Sequence, residues 1–360
     1  MRRIASRAGT ALLCAAAVLG VLAACQSDGG SEASAADGLY LTDTYSGKVY
    51  VYDPDTHAAG STSLVTTGQN STGGIRFYGG IGYVAVASYN NTDPGVYRFD
   101  PSATVPAAER IGTVDRSAQF VAFYSSTKAY VTVADYYGTA ADQGVYTFNP
   151  SSPSSGLSAA PITGTNASGM YLQQIVVGPD NMVYVADYDN QKVYRIDPAT
   201  DTLSATPFPA SSSGTTALVS GSYNGSSGVF VGNIAYNATT YAYTGSVDFI
   251  DTGASSVSTV LASTPASRML YLSAGKLVTT SYSNTYLADV TAASPTPLEM
   301  GSSLAGADLA ARDGLIYVAY TDYSTSRLYV FDATAGAQSF SPVSVMGSGE
   351  CVAGLAFYED

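Results

Sequence analysis

Apolar and polar positions alternate in short bursts along this chain, and the bursts recur. The clearest is KVYVYDPDT (48–56), in which Val49 and Val51 fall on one side and Tyr50 and Tyr52 on the other. A period of two over such a run predicts a β-strand with two distinct faces. The Asp-Pro that follows predicts its end, because Asp bonds its own downstream backbone while Pro presets a turn and removes a ladder donor. The same unit returns as GVYRFDPSA (95–103), GVYTFNPSS (144–152), KVYRIDPAT (192–200), GSVDFIDTG (245–253), TYLADVTAA (285–293) and RLYVFDATA (327–335). An acid or its amide holds one register position in all seven copies: Asp53, Asp100, Asn149, Asp197, Asp251, Asp289 and Asp332. A spacing of about 40–50 residues is that of a four-stranded propeller blade.

Each copy is preceded by a second apolar strand, such as Leu39–Thr42, Tyr83–Ala87 or Val183–Ala186, and in several copies by a shorter third run, such as Ile75–Tyr78. Polar segments after the turn, such as Thr202–Thr206, supply a fourth. With strands lettered A to D outward from the axis, the first B strand (at Leu39) has no A strand before it. The chain ends in an A strand (Val352–Phe357) with no B strand after it. Joining the two completes a blade and removes sheet edges that invite aggregation. The expected fold is therefore all-β: a seven-bladed propeller of four-stranded blades over 38–360, closed by the C-terminal strand completing blade one.

The N-terminus follows other rules. Arg2, Arg3 and Arg7 precede an apolar run from Ala8 to Ala24, the layout of an export signal over 1–24. The run ends in Leu22-Ala23-Ala24-Cys25, which resembles the lipobox of bacterial lipoproteins. That resemblance implies cleavage before Cys25 and a lipid on its thiol. Residues 25–37 then read as the lipidated cysteine and a flexible tether rich in Ser, Gly and Ala. The membrane is expected to be met through the lipid alone. Gln26 after the cysteine, rather than Asp, favours the outer membrane or cell surface in an organism with two membranes. Of three cysteines, only Cys351 remains as a candidate core residue, so packing and strand pairing hold the fold.

The formal charge is −13, and removing the three signal arginines leaves −16. That argues against nucleic acid as a partner. Trp is absent and Tyr numbers 29, a composition suited to strands.

The repeat as a whole resembles the bacterial YVTN and NHL-like propellers, most closely at Tyr184-Val185-Ala186-Asp187 followed by KVYRIDPAT. The resemblance implies the fold over roughly 38–360, for a group whose members include binding proteins, scaffolds and enzymes.

In such a blade the B–C loops and D-to-A crossings share one face. All seven B–C loops contain tyrosine, including Tyr45, Tyr89, Tyr136, Tyr137, Tyr188, Tyr236, Tyr282 and Tyr323, with Asp135, Asp187, Asp189 and Asp322 among the accompanying acids. Tyr offers a flat apolar body, a hydroxyl and little rotamer entropy to lose. One reading is a Tyr/Asp-rich recognition face; the other is inheritance of a loop-covering residue through the repeat. The C-strand tyrosines (Tyr50, Tyr97, Tyr146, Tyr194, Tyr329) read as packing between blades. Gln119, Gln173, Arg268, Asp308 and Glu350 stand near the A-strand starts, either as a polar channel mouth or, for the last three, as an ion pair holding blades in register.

No catalytic residue is assigned. The one histidine, His57, lies in a C–D turn on the face opposite the tyrosines, and no His or Cys cluster suggests a metal centre. No cofactor is predicted; DYDN (187–190) offers oxygens for calcium without the ordered Asp spacing. The leading expectation is a non-catalytic propeller that captures a ligand or an envelope protein. By fold-level analogy it serves an outer-membrane transporter. The alternatives are a lactonase- or lyase-type enzyme at the channel mouth, and an envelope scaffold.

Overall fold

The computed structural model describes residues 38–358, apart from 61, 71, 88–91, 114, 135–142, 302 and 323–324. Lipid-site Cys25 and the loop residues Tyr89, Asp135, Tyr136, Tyr137 and Tyr323 lie outside the described residues.

Seven sheets surround one axis. The A strands are Thr72–Tyr78, Ala118–Ser125, Leu172–Val177, Thr215–Tyr223, Arg268–Leu272 and Gly306–Arg312 for blades two to seven, and Val352–Phe357 for blade one. Blade one closes as the pattern predicts: Val352–Phe357 pairs antiparallel with Leu39–Asp43, Phe357 opposite Leu39 and Leu355 opposite Leu41. Cys351 is buried at this seam, its N–H donating to Asp43 Oδ1 at 2.7 Å.

The seven turn residues act as their chemistry requires. Asp53, Asp100, Asn149, Asp197, Asp251, Asp289 and Asp332 each accept the N–H two residues on, at 2.8–3.0 Å. The outer strands are more varied. Blade seven has a full D strand, Gln338–Ser344, whereas that of blade four is split into Thr202–Leu203 and Phe208–Pro209. In blade three an irregular segment takes the place of strand D among the described residues. Ser158 and Ile162 donate to the carbonyls of Thr147 and Val145, so the edge of strand C is satisfied without a fourth strand.

The core is distributed. Seven buried apolar clusters occur among the described residues, each joining two neighbouring blades. Their largest members come from both middle strands: Tyr40, Tyr130, Tyr184, Tyr317 and Phe230 from B strands, and Tyr52, Tyr146, Phe249 and Phe331 from C strands. Of the C-strand tyrosines expected to pack between blades, Tyr50, Tyr97 and Tyr146 are buried, while Tyr194 and Tyr329 are half-buried. In blade five their position is taken by Asp248. It is fully buried and accepts bonds from Ser211, Asn233 and Thr259.

The inner strands are also stitched by polar side chains. Thr42 Oγ1 donates to Gly73 O, Gln174 Oε1 accepts Leu218 N–H, Thr216 Oγ1 donates to Ala266 O, Thr280 Oγ1 accepts Gly306 N–H, and Asp308 Oδ2 accepts Leu355 N–H. Each bond crosses from one blade to the next and satisfies a buried polar group where an apolar contact would leave it orphaned.

Candidate functional site

The B–C face is built on a repeated device at the end of strand B. Asp43 accepts the N–H groups of Tyr45 and Ser46, Asp322 that of Thr325, and Ser281 in blade six those of Ser283 and Asn284. In blade four Asp187 Oδ1 accepts the N–H groups of Tyr171 and Asn190, while Oδ2 accepts Asn190 Nδ2 at 2.7 Å. Asp43 and Asp187 are fully buried. These two acids therefore fold the loops and present no charge to a ligand, unlike the exposed Asp189. The DYDN oxygens of Asp187 are likewise engaged by the protein. Among the described residues, no three His, Cys, Asp or Glu side chains come together to hold a metal ion.

The tyrosines divide in the same way. Tyr45 is half-buried beside its own turn. On blades four to six, by contrast, they gather into a strip of two contact groups. Blade five extends its B–C loop as a hairpin, Ala235–Asn237 paired with Ala242–Thr244, with Tyr236 opposite Tyr243. Tyr236 and Tyr243 have ring centroids 5.2 Å apart, and Tyr243 lies 5.0 Å from Tyr282 of blade six. Tyr188 of blade four contacts Tyr171 at 6.3 Å. Burial, then the neighbouring Tyr282 and Asp189, push the Tyr188 phenol up. Gly214, with φ +77°, makes room: a Cβ there would meet Ile234 O at 1.7 Å and the Tyr188 ring at 3.1 Å. At the hairpin end the strip is open, with Tyr236 43%, Tyr282 51% and Tyr241 81% exposed. Tyrosines this open contribute little to the core and leave apolar surface facing water.

At the axis, six of the seven A strands carry a bulge near their start, where the extra residues include Gly73, Gln119, Gln173, Thr216, Ala307 and Ala353. A bulge re-aims side chains and tightens the local twist. Gln119 turns back to donate to Ala134 O at 2.9 Å, and Gln173 is half-buried. The three charged residues read as a joint channel mouth or ion pair take separate partners. Asp308 is buried against Leu355 of blade one. Glu350 is held at the outer side of the seam by Lys48 Nζ and Tyr50 Oη, each at 2.7 Å. Burial pushes the Glu350 carboxyl up, but the Lys48 and Tyr50 bonds and the Gly347 N–H outweigh it and hold it below its usual range. Arg268 reaches across the channel, its guanidinium carbon 5.0 Å from the Phe120 ring centroid of blade three.

His57 sits on the opposite face, as expected, but is only partly solvated. Its Nδ1 lies 3.0 Å from Tyr52 Oη, and its ring packs at a tilt against Phe340 of blade seven, with ring centroids 3.9 Å apart. Tyr241 and Tyr243 belong to the B–C loop tyrosines that the repeat picks out, whereas Tyr171 and the inner-strand Arg76 are residues it does not single out. For Arg76 the signal was a lone base in an otherwise apolar inner strand.

This architecture defines the class: the chain is a seven-bladed β-propeller. No known family profile and no curated protein matches it in sequence. Solved structures share the fold. A Lactobacillus plantarum protein is 15% identical, with 90% of this chain and 100% of that one covered and a TM-score of 0.68. The periplasmic gluconolactonase of Pseudomonas aeruginosa is 14% identical over 90% and 99% (TM-score 0.67). A functionally unknown protein of Desulfotomaculum acetoxidans is 11% identical over 89% and 98% (TM-score 0.65). At these identities the likeness is one of fold.

Proposed function

We propose that this protein is an exported, lipid-anchored propeller that recognises its ligand without transforming it, using the tyrosine strip on the B–C face of blades four to six. The observation that carries the proposal is the contact chain Tyr236–Tyr243–Tyr282, open to solvent, which runs from the blade-five hairpin to the neighbouring loop of blade six. Rigid aromatic surfaces with hydroxyl edges suit sugar rings and extended polypeptide alike, at low entropic cost. The Leu22-Ala23-Ala24-Cys25 sequence supports the anchor, which would hold this face at an envelope surface, in reach of a transporter or other envelope partner. The test is a thermal-shift screen of oligosaccharides, corrinoids, siderophores and calcium, with pull-down from envelope extracts, on wild type and a Tyr236→Ala/Tyr282→Ala variant. Recognition that the variant loses supports the proposal; recognition that it keeps refutes the face.

A lactonase-type reading draws on the Pseudomonas neighbour's name and on Arg268 in the channel. The acids that it would need are engaged elsewhere, Asp308 by Leu355 N–H and Glu350 by Lys48 and Tyr50, and the one histidine faces away. The binding reading is therefore preferred.

A further inference from the structure

The inner strands of blades two, three and four enclose a narrow cavity in the channel, lined by Gly74, Arg76, Phe120 and Gln174 among others. Arg268 reaches the same Phe120 ring from blade six. Arg76 thus lines the cavity together with Phe120, and Arg268 meets that ring from another blade. Arg76 Nη1 donates to its own Ile75 O at 2.8 Å and Arg268 Nη1 to its own Ser267 O at 2.7 Å, and among the described residues neither has a carboxylate partner. Gln174 gives its Oε1 to Leu218 N–H, and its amide nitrogen has no protein partner among the described residues. At Gly74 the nearest atom to an added Cβ is Arg76 Nη1, 4.0 Å away, so a glycine keeps the space beside the guanidinium open.

The polar groups gathered here are donors, two of them cationic, in a chain whose formal charge is −13. A half-buried guanidinium has given up part of its hydration, and an anion restores it. The Phe120 ring covers one side of Arg268 and Ser267 O takes one Nη1 proton, which leaves the remaining N–H groups of its planar fork for a planar or tetrahedral oxyanion. We propose that the central channel binds one small oxyanion, a carboxylate or phosphate group, between Arg76, Arg268 and the Gln174 amide. This site is separate from the tyrosine strip and stands or falls independently of it.

The test is calorimetric titration of the purified protein with inorganic phosphate and with malonate, against chloride at matched ionic strength. Saturable binding of either at one site per chain is expected, and which probe binds tells phosphate from carboxylate. Arg76→Gln and Arg268→Gln should each weaken it by about tenfold or more, the loss of one charge-assisted contact. Arg268→Lys, which keeps the charge and loses the fork, should weaken it less than Arg268→Gln. Tyr236→Ala/Tyr282→Ala should leave it unchanged. Should a Gln variant fail to fold, the wild-type titration and the Lys variant carry the test. Wild type that binds neither probe beyond chloride, or binding that survives both Gln substitutions, overturns the proposal.

Discussion

Glu350 and Lys48 meet at 2.7 Å across the seam where the end of the chain joins its beginning, and Tyr50 donates to the same carboxylate oxygen. The bond from Glu350 raises the Lys48 ammonium, while burial and then Glu350 push the Tyr50 phenol up to about 12. The three groups therefore stay in their bonded protonation states through the neutral range. Glu350→Gln should destabilise the propeller by about 1 kcal/mol at pH 7, a charged hydrogen bond discounted because Lys48 is partly exposed. The folded carboxyl lies below its unfolded value, so this contribution is complete above the ordinary carboxylate range and is lost as pH falls through the folded value. Urea unfolding of wild type and variant should show the difference narrowing toward acid pH.

The C–D turns make a second, cleaner case. Asp332 accepts the N–H groups of both Thr334 and Ala335. Asp332→Ala should cost about 1 kcal/mol. Asp332→Asn should cost much less, because Asn149 already performs the same task in blade three. Denaturant midpoints of the two variants decide this; equal losses would mean that charge, not turn geometry, matters at this position.

Close approach of the inner strands gives a third prediction. A Cβ on Gly354 would meet Gly74 Cα at 2.8 Å, Ile75 N at 2.9 Å and Gly73 O at 3.0 Å. All three are backbone atoms of the next blade and cannot swing aside. Gly354→Ala should therefore destabilise by about 1–3 kcal/mol, read as a lowered melting temperature. Gly225→Ala provides no such control, since its φ of +80° adds backbone strain of its own.

Much of this was legible in the chain because it rests on local chemistry. The period-two runs, the Asp53-to-Asp332 turn series and the unpaired ends at Leu39 and Phe357 each state their role without a partner. What was not legible depends on register and on neighbouring blades. Asp43 and Asp187 look like surface acids beside tyrosines, yet the B-strand end turns them inward onto Cys351 and Tyr171 N–H groups. Asp308 and Arg268 look like an ion pair in sequence, but a bulge precedes Asp308 whereas Arg268–Leu272 pairs without one, and the two side chains find different partners. Among the C-strand tyrosines, Tyr50, Tyr97 and Tyr146 are buried while Tyr194 and Tyr329 are half-buried, a distinction that one strand's alternation does not carry. The Tyr243–Tyr282 contact joins loops from separate blades, so only the assembled ring reveals it.

The central claim is that the open tyrosine strip recognises a ligand, and the most direct measurement is the melting temperature of wild type and of Tyr236→Ala/Tyr282→Ala with and without each member of the ligand panel. Both side chains are about half exposed and lie outside the buried clusters, so the two proteins should melt within a few degrees of each other when unliganded. A ligand at 100 times its dissociation constant adds about 2.7 kcal/mol. The account predicts that a ligand which shifts the wild type leaves the variant unmoved. Equal shifts in both proteins would contradict it.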